Sequence, residues 1–335
     1  MVVLVTGATG FIGRRVVKEL LEHNYDVRCL VHTPGSERVF SDRSVEIYYG
    51  DMTNQNSIDS ACQGVELVIN LVSKMRPSRV WDMLSVNAVG VANLVSAVEN
   101  ADSIKHLVHV SVLGANDNPK ERYLFSRWKG EQELKKTKIP YTIIRPSVIT
   151  GELDSFSNIL GSLVRSLPVV PVLGRGRNRV QPISVGDFAY CVVASLSRND
   201  LESKTVELGG AQHLSVNEII DSICTVIGRR RTKLHLPLWF SGVFCALMNI
   251  FMAKPIVNRE LARMLTQRNV TDIGVVNTVF GITPKTFVES IDHLIETDSK
   301  SVTTPLCHGG SKRFESPSDG AVSYTHLTLP TILLV

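Results

Sequence analysis

At 335 residues, with 44% hydrophobic and 20% charged side chains and a formal charge of +4, the chain has the composition of a globular protein with a sizeable core. No basic stripe with interleaved aromatics is present, which counts against nucleic acid as a partner. The six cysteines (Cys29, Cys62, Cys191, Cys224, Cys245, Cys307) form no C-x-x-C pair, so neither a zinc site nor a disulfide scaffold is expected, and a reducing cytosol is the natural compartment.

The chain opens on Val2-Val3-Leu4-Val5, a run that predicts a buried strand, and apolar Ile12, Val16, Val17, Leu20 and Leu21 predict a helix after it. Between them stands Thr6-Gly7-Ala8-Thr9-Gly10-Phe11-Ile12-Gly13. A dinucleotide pyrophosphate needs such a turn: one glycine for tightness, one for close approach of backbone to phosphate, one for helix-to-strand packing. The helix start adds free N–H groups and a positive dipole end. With the first strand read from Val2, no signal peptide is expected.

Further strands are expected at 26–31, 45–49, 66–71, 105–110 and 141–145, with helices at 57–62, 81–99 and 123–136. Strands alternating with helices imply an α/β, Rossmann-type doubly wound parallel sheet, residues 1–150 forming the nucleotide-binding domain. Ligands of such sheets bind beyond the carboxyl ends of the strands, where Gly7, Asp51, Asn70 and Ser111 fall. Residues 151–297 read as a smaller mixed lobe on the substrate side, its strands free to return to the main sheet. It holds a loop at 174–179, strands at 180–185 and 205–208, and helices at 186–197 and 216–227. The run Arg229-Arg230-Arg231 reads as a solvated helix end. Residues 236–253 carry no charge; at 18 residues the segment falls just short of the roughly 20 needed to span a bilayer. It is expected as a helix docked on the protein or lying at a membrane interface. Residues beyond 298 have a disordered composition, and 321–335, abruptly apolar, are set aside as non-native.

The spacing of Gly7, Gly10 and Gly13 is G-x-x-G-x-x-G. With the segments 86–95 (VNAVGVANLV), 109–115 (HVSVLGA), 123–131 (YLFSRWKGE), 144–149 (IRPSVI) and 177–183 (RNRVQPI), the chain resembles extended and atypical short-chain dehydrogenases/reductases. Within them it resembles the subgroup of the nucleotide-binding accessory subunit of respiratory complex I and its bacterial relatives. The resemblance implies a nicotinamide dinucleotide held by Gly7, Thr9, Gly10, Phe11, Ile12, Gly13, Asp51, Met52, Asn70 and Asn87. It also implies Tyr123 as proton donor and Ser111 as the hydroxyl on a substrate carbonyl. From the residues alone, Asp51 is equally a turn or cap residue, and Ser111 equally a strand-end hydroxyl. The second strand ends Leu30-Val31-His32-Thr33-Pro34 with no carboxylate, while Arg14, His32 and Arg38 suit a 2′-phosphate, so NADP is expected over NAD.

One departure bears on chemistry. The family's lysine four residues after the tyrosine is Arg127 here, and Lys129 points to another side of the helix. Two readings follow. One is an oxidoreductase on a carbonyl or sugar-like substrate; the other is a catalytically weak nucleotide-binding structural or assembly protein of a respiratory or membrane complex, cytoplasmic or peripheral at a membrane. The bland alternative pairs Tyr123 and Arg127 with the loop 116–121.

Overall fold

The computed structural model describes residues 1–40, 44–75, 83–237 and 269–295. Seven parallel strands build the central sheet: β1 (Val2–Thr6), β2 (Asp26–Val31), β3 (Glu46–Tyr49), β4 (Leu67–Asn70), β5 (His106–Val110), β6 (Tyr141–Pro146) and β11 (Lys204–Leu208). Their order is β3-β2-β1-β4-β5-β6-β11, so the chain reverses direction across the sheet between β1 and β4. A crevice opens there beyond the carboxyl ends of the strands.

Both faces are covered, which is why the strands read as continuous apolar runs instead of alternating ones. Val3 and Val5 point to the layer of α1 (Phe11–Glu22), α6 (Val185–Ala194) and α8 (Val275–Phe280). Leu4 points to the layer of α2 (Gln55–Cys62), α3 (Gly90–Asn100) and α4 (Arg122–Leu134). Local chemistry sets the helix ends: Asn54 caps α2, and Ser184 caps α6. The single long helix expected over 81–99 is instead a π-helical turn, Ser85–Val89, running into α3. The wide turn lets Asn87 face inward at full burial.

A second apolar core lies between α5 (Ser155–Ser166) and α7 (Val216–Ile227), closed by Val170 and Val172 of β8 (Val169–Leu173) and by Phe287 of α9 (Phe287–Ser290). A capping box of Ser215 and Glu218 opens α7, and Gly228 in the left-handed conformation ends it. The expected strand over 180–185 is two strands, β9 (Arg179–Val180) and β10 (Ile183–Ser184), because Pro182 has no N–H to continue a ladder. β9 pairs with β12 (Leu214–Ser215), and β10 with β7 (Ile149–Thr150). The triple arginine is solvated only at Arg230: Arg229 and Arg231 donate to the carbonyls of Arg165 and Val164, at the C-terminus of α5. Leu236 closes strand β13 (Thr232–Leu236) and does not begin a helix. The rest of the uncharged segment, 238–253, and the tail from 296 lie outside the described residues.

Gly130 of α4 lies against the π-helical turn, where a β-carbon would sit 2.2 Å from the Asn87 carbonyl oxygen. Gly130→Ala therefore forces the two helices apart and should cost about 1–3 kcal/mol, read as a lower thermal midpoint.

Candidate functional site

The glycine turn is built by exclusion of side chains. Gly7 has φ +71°, a conformation only glycine adopts freely. At Gly13 a β-carbon would lie 2.2 Å from the Gly7 carbonyl oxygen and 2.5 Å from that of Ala8, so the first turn of α1 rests directly on the loop. The first helical hydrogen bond runs from Arg14 N–H to the Gly10 carbonyl. The N–H groups of Phe11, Ile12 and Gly13 precede it and stand at the positive end of the helix. Arg14 Nε donates to the Thr9 carbonyl at 2.8 Å and braces the turn.

In front of this turn is a cavity of about 560 Å³, lined by Gly7, Thr9, Gly10, His32, Asp51 and Met52 among the expected residues. Leu30, Gly50 and Thr53 extend it at the ends of β2 and β3, and Leu71, Val72, Ser73, Lys74, Ser85 and Val86 form its far wall. Those wall residues had not been foreseen; Leu71 to Lys74 follow directly on the strand at the crossover, and that position was the available signal. Phe11, Ile12, Gly13 and Arg14 follow the turn as the start of α1 and are not among the residues that line the cavity.

At the rim, Asp51 Oδ1 accepts from Thr53 N–H at 2.8 Å and Oδ2 lies 3.4 Å from His32 Nε2. Burial alone would raise the Asp51 carboxyl, but the Thr53 hydrogen bonds and the neighbouring His32 outweigh it and hold it below the ordinary range. The cap of α2 is Asn54 and not Asp51. Asn93 Nδ2 holds the Met52 carbonyl at 3.1 Å.

Register places Thr6, Asn70 and His109 side by side on β1, β4 and β5. Thr6 Oγ1 donates to Asn70 Oδ1 at 2.7 Å, and the same oxygen accepts from Val72 N–H. An N–H can only donate, so the Asn70 amide is oriented with Nδ2 toward His109 Nδ1, 3.0 Å away. His109 Nδ1 is thus the acceptor, and its proton sits on Nε2. Burial, with Arg127 adding to it, holds this imidazole well below its ordinary pKa and keeps it neutral.

Asn87 clasps the cavity wall: Oδ1 accepts from Lys74 N–H, and Nδ2 donates to the Lys74 carbonyl and to Ser126 Oγ at 2.9 Å. Arg127, 1% exposed, donates from Nη1 to the Val72 carbonyl at 2.9 Å and from Nη2 to the Val110 carbonyl. Tyr123 is buried with its hydroxyl 3.1 Å from Ser73 Oγ. The expected alternative pairing of Tyr123 and Arg127 with the loop 116–121 does not occur; that loop is occupied by Asn116 and Glu121 bonding each other. Lys129 stands apart, its ammonium over the rings of Phe125 and Trp128. Ser111 Oγ is buried and has no partner among the described residues.

Seven parallel strands, a glycine turn under a helix start and a cavity at the crossover define a dinucleotide-binding α/β protein. A family described as NAD(P)H-binding matches residues 7–162. Over 70% of this chain and 74% of the relative, the sequence is 30% identical to the ceramide reductase of Caulobacter vibrioides. The chain belongs to the NAD(P)H-binding atypical short-chain dehydrogenase/reductase family. It is 26% identical to the photosystem II assembly factor Ycf39 of Trieres chinensis, over 75% of this chain and 77% of that one. It is 29% identical to the mitochondrial NADH dehydrogenase [ubiquinone] 1 alpha subcomplex subunit 9 of Arabidopsis thaliana, over 71% of this chain but only 61% of that subunit. The UDP-glucose 4-epimerase of Thermotoga maritima superposes with a TM-score of 0.71 at 16% identity, covering 90% of this chain and all of that one, a likeness of fold.

The neutral His109 sets a pH dependence. Its folded-state pKa is depressed, so below about pH 6.5 the unfolded chain binds a proton that the folded chain refuses, and stability falls as pH falls. The thermal midpoint should drop between neutral and mildly acidic pH, and His109→Gln should flatten that slope.

Proposed function

We propose that the protein holds NADPH as a catalytically weak member of its family and serves as a nucleotide-loaded structural or assembly partner of a membrane-associated complex. The observation that carries this reading is Arg127. In the place the family gives to a ribose-binding lysine, its guanidinium is buried at 1% exposure and donates from Nη1 and Nη2 to the main-chain carbonyls of Val72 and Val110. Burial lowers its own pKa, yet it stays a cation and keeps the ends of β4 and β5 together. The similarity to an assembly factor and to a complex I subunit favours a partner of this kind and a peripheral contact with a membrane. No helix among the described residues is long and apolar enough to cross one.

The second reading is an oxidoreductase acting on a carbonyl compound. It is favoured by the Ser73–Tyr123 hydrogen bond, which sets a phenol beside the cavity wall where an acid/base would act, with Ser111 as the candidate hydroxyl on the substrate oxygen. The relative named a ceramide reductase favours it too. When bound, the cofactor supplies or accepts hydride; the chain supplies the turn that holds the pyrophosphate and, in this reading, the proton of Tyr123.

Two expected outcomes test the nucleotide site. Gly10→Val fills the space before the α1 N-terminus and should abolish NADPH binding by calorimetry while the protein stays folded. His32 is exposed at the rim, β2 ends without a carboxylate, and Arg38 is exposed nearby in the chain, which supports preference for the 2′-phosphate. His32→Ala should therefore weaken NADPH several-fold and leave NADH unchanged. The two functional readings separate in one measurement: bound NADPH that keeps its reduced absorbance on addition of carbonyl compounds supports the weak-enzyme reading, and rapid oxidation that Tyr123→Phe abolishes supports the oxidoreductase.

A further inference from the structure

Two stretches of the chain are one-sided in charge. Residues 155–186 contain four arginines and residues 222–237 three arginines and a lysine, and neither stretch contains an acidic residue. Together they carry a formal +8 in a chain of net +4, leaving −4 on all the rest. The fold brings them together, because β8 comes from the first and β13 from the second, paired in parallel from Val169↔Thr232 to Leu173↔Leu236.

The ribbon they form is two-sided. Val170 and Val172 point into the core between α5 and α7, and Lys233 lies on α7, where it pairs with Asp221. By alternation, the register partners Val169 with Thr232, Pro171 with Leu234 and Leu173 with Leu236 share the outer face. That face holds no charge, is roughly 16 Å long, and leaves Val169 40% and Leu234 53% exposed. Cations frame it at both ends. β8 runs into a loop with exposed Arg175 and Arg177, followed by exposed Arg179 at the start of β9, and β13 is preceded by exposed Arg230. Beside Arg230, Arg231 is held by a main-chain carbonyl, which orients its charge without cancelling it.

We propose that the outer face of the β8–β13 ribbon docks on an anionic lipid bilayer. The apolar centre, with Leu234 and Val169 foremost, enters the boundary between headgroups and acyl chains, and the flanking guanidinium groups lie among the lipid phosphates. A polyanion such as RNA asks for a continuous row of cations, which the apolar centre interrupts. This surface deepens the peripheral membrane contact proposed above and rests on that part of it; it does not depend on whether the nucleotide turns over.

The test is flotation of the full chain with phosphatidylcholine vesicles, with and without phosphatidylglycerol. Wild type should float only with the anionic vesicles and should be released by salt. Val169→Asp with Leu234→Asp, and separately Arg175→Glu with Arg177→Glu, should each lower the floated fraction roughly tenfold while NADPH affinity and thermal midpoint stay unchanged. If wild type does not float, the peripheral contact itself fails. If it floats and both double variants float equally well, the contact stands and the ribbon is overturned. A lowered thermal midpoint with undiminished flotation in the aspartate variant assigns the face to packing within the chain and also overturns it. RNA binding lost in the glutamate variant, without vesicle binding, overturns it in favour of nucleic acid.

Discussion

At Gly13 the chain has no space for a side chain, since the carbonyl oxygens of Gly7 and Ala8 already occupy it. That close approach fixes the angle at which α1 leaves β1, and so aims its unbonded N–H groups at the crossover crevice. The rest of the nucleotide site is arranged around that direction. The ends of β2 and β3 supply His32 and Asp51 at one rim, and the segment after β4 supplies the opposite wall. Arg14 then ties the turn to its own helix through the Thr9 carbonyl.

Behind the wall, polar side chains are buried where an ordinary core would hold aliphatic ones. Thr6, Asn70 and His109 cross three strands, and Asn87 and Arg127 reach in from two helices to take up the main-chain groups of Val72, Lys74 and Val110. Peptide groups leaving the ends of parallel strands lose their ladder partners, and burying them unpaired costs about 1–3 kcal/mol each. These side chains replace the ladder where it stops. The residue that a family pattern marks for chemistry, Arg127, is therefore also one that holds the sheet end together.

Much of this was legible in the chain. The Val2-Val3-Leu4-Val5 run, the glycine spacing and the alternation of strands and helices lead to the sheet and to the turn, because both depend on local chemistry and periodicity. The helix over 216–227 and the strand over 26–31 match the structure at both ends, marked by a capping box and by flanking turns. Ser73 and Lys74 were not legible as cavity wall, since nothing in a short polar segment announces which crevice it borders. The turn at Asn87 was read as ordinary helix, because a π-helical register leaves no trace in a hydrophobic pattern. The basic framing of the ribbon was hidden by distance: its two halves are separated by more than forty residues in sequence, so neither looks like a patch until β8 and β13 pair.

The sheet's last strand, β11, is added from residues 204–208, after the whole of α5, α6 and β7 to β10 has been made. Until then β6 is an open border, its Tyr141–Pro146 main chain without a second neighbour and Ile143 and Ile144 flanking it. A ribosome-bound chain that has emerged only as far as the end of β6 presents a bare parallel edge to whatever else is nearby. The order of synthesis thus makes the late strand a safeguard against wrong association, and a fragment cut at the end of the apparent nucleotide domain would be sticky for the same reason.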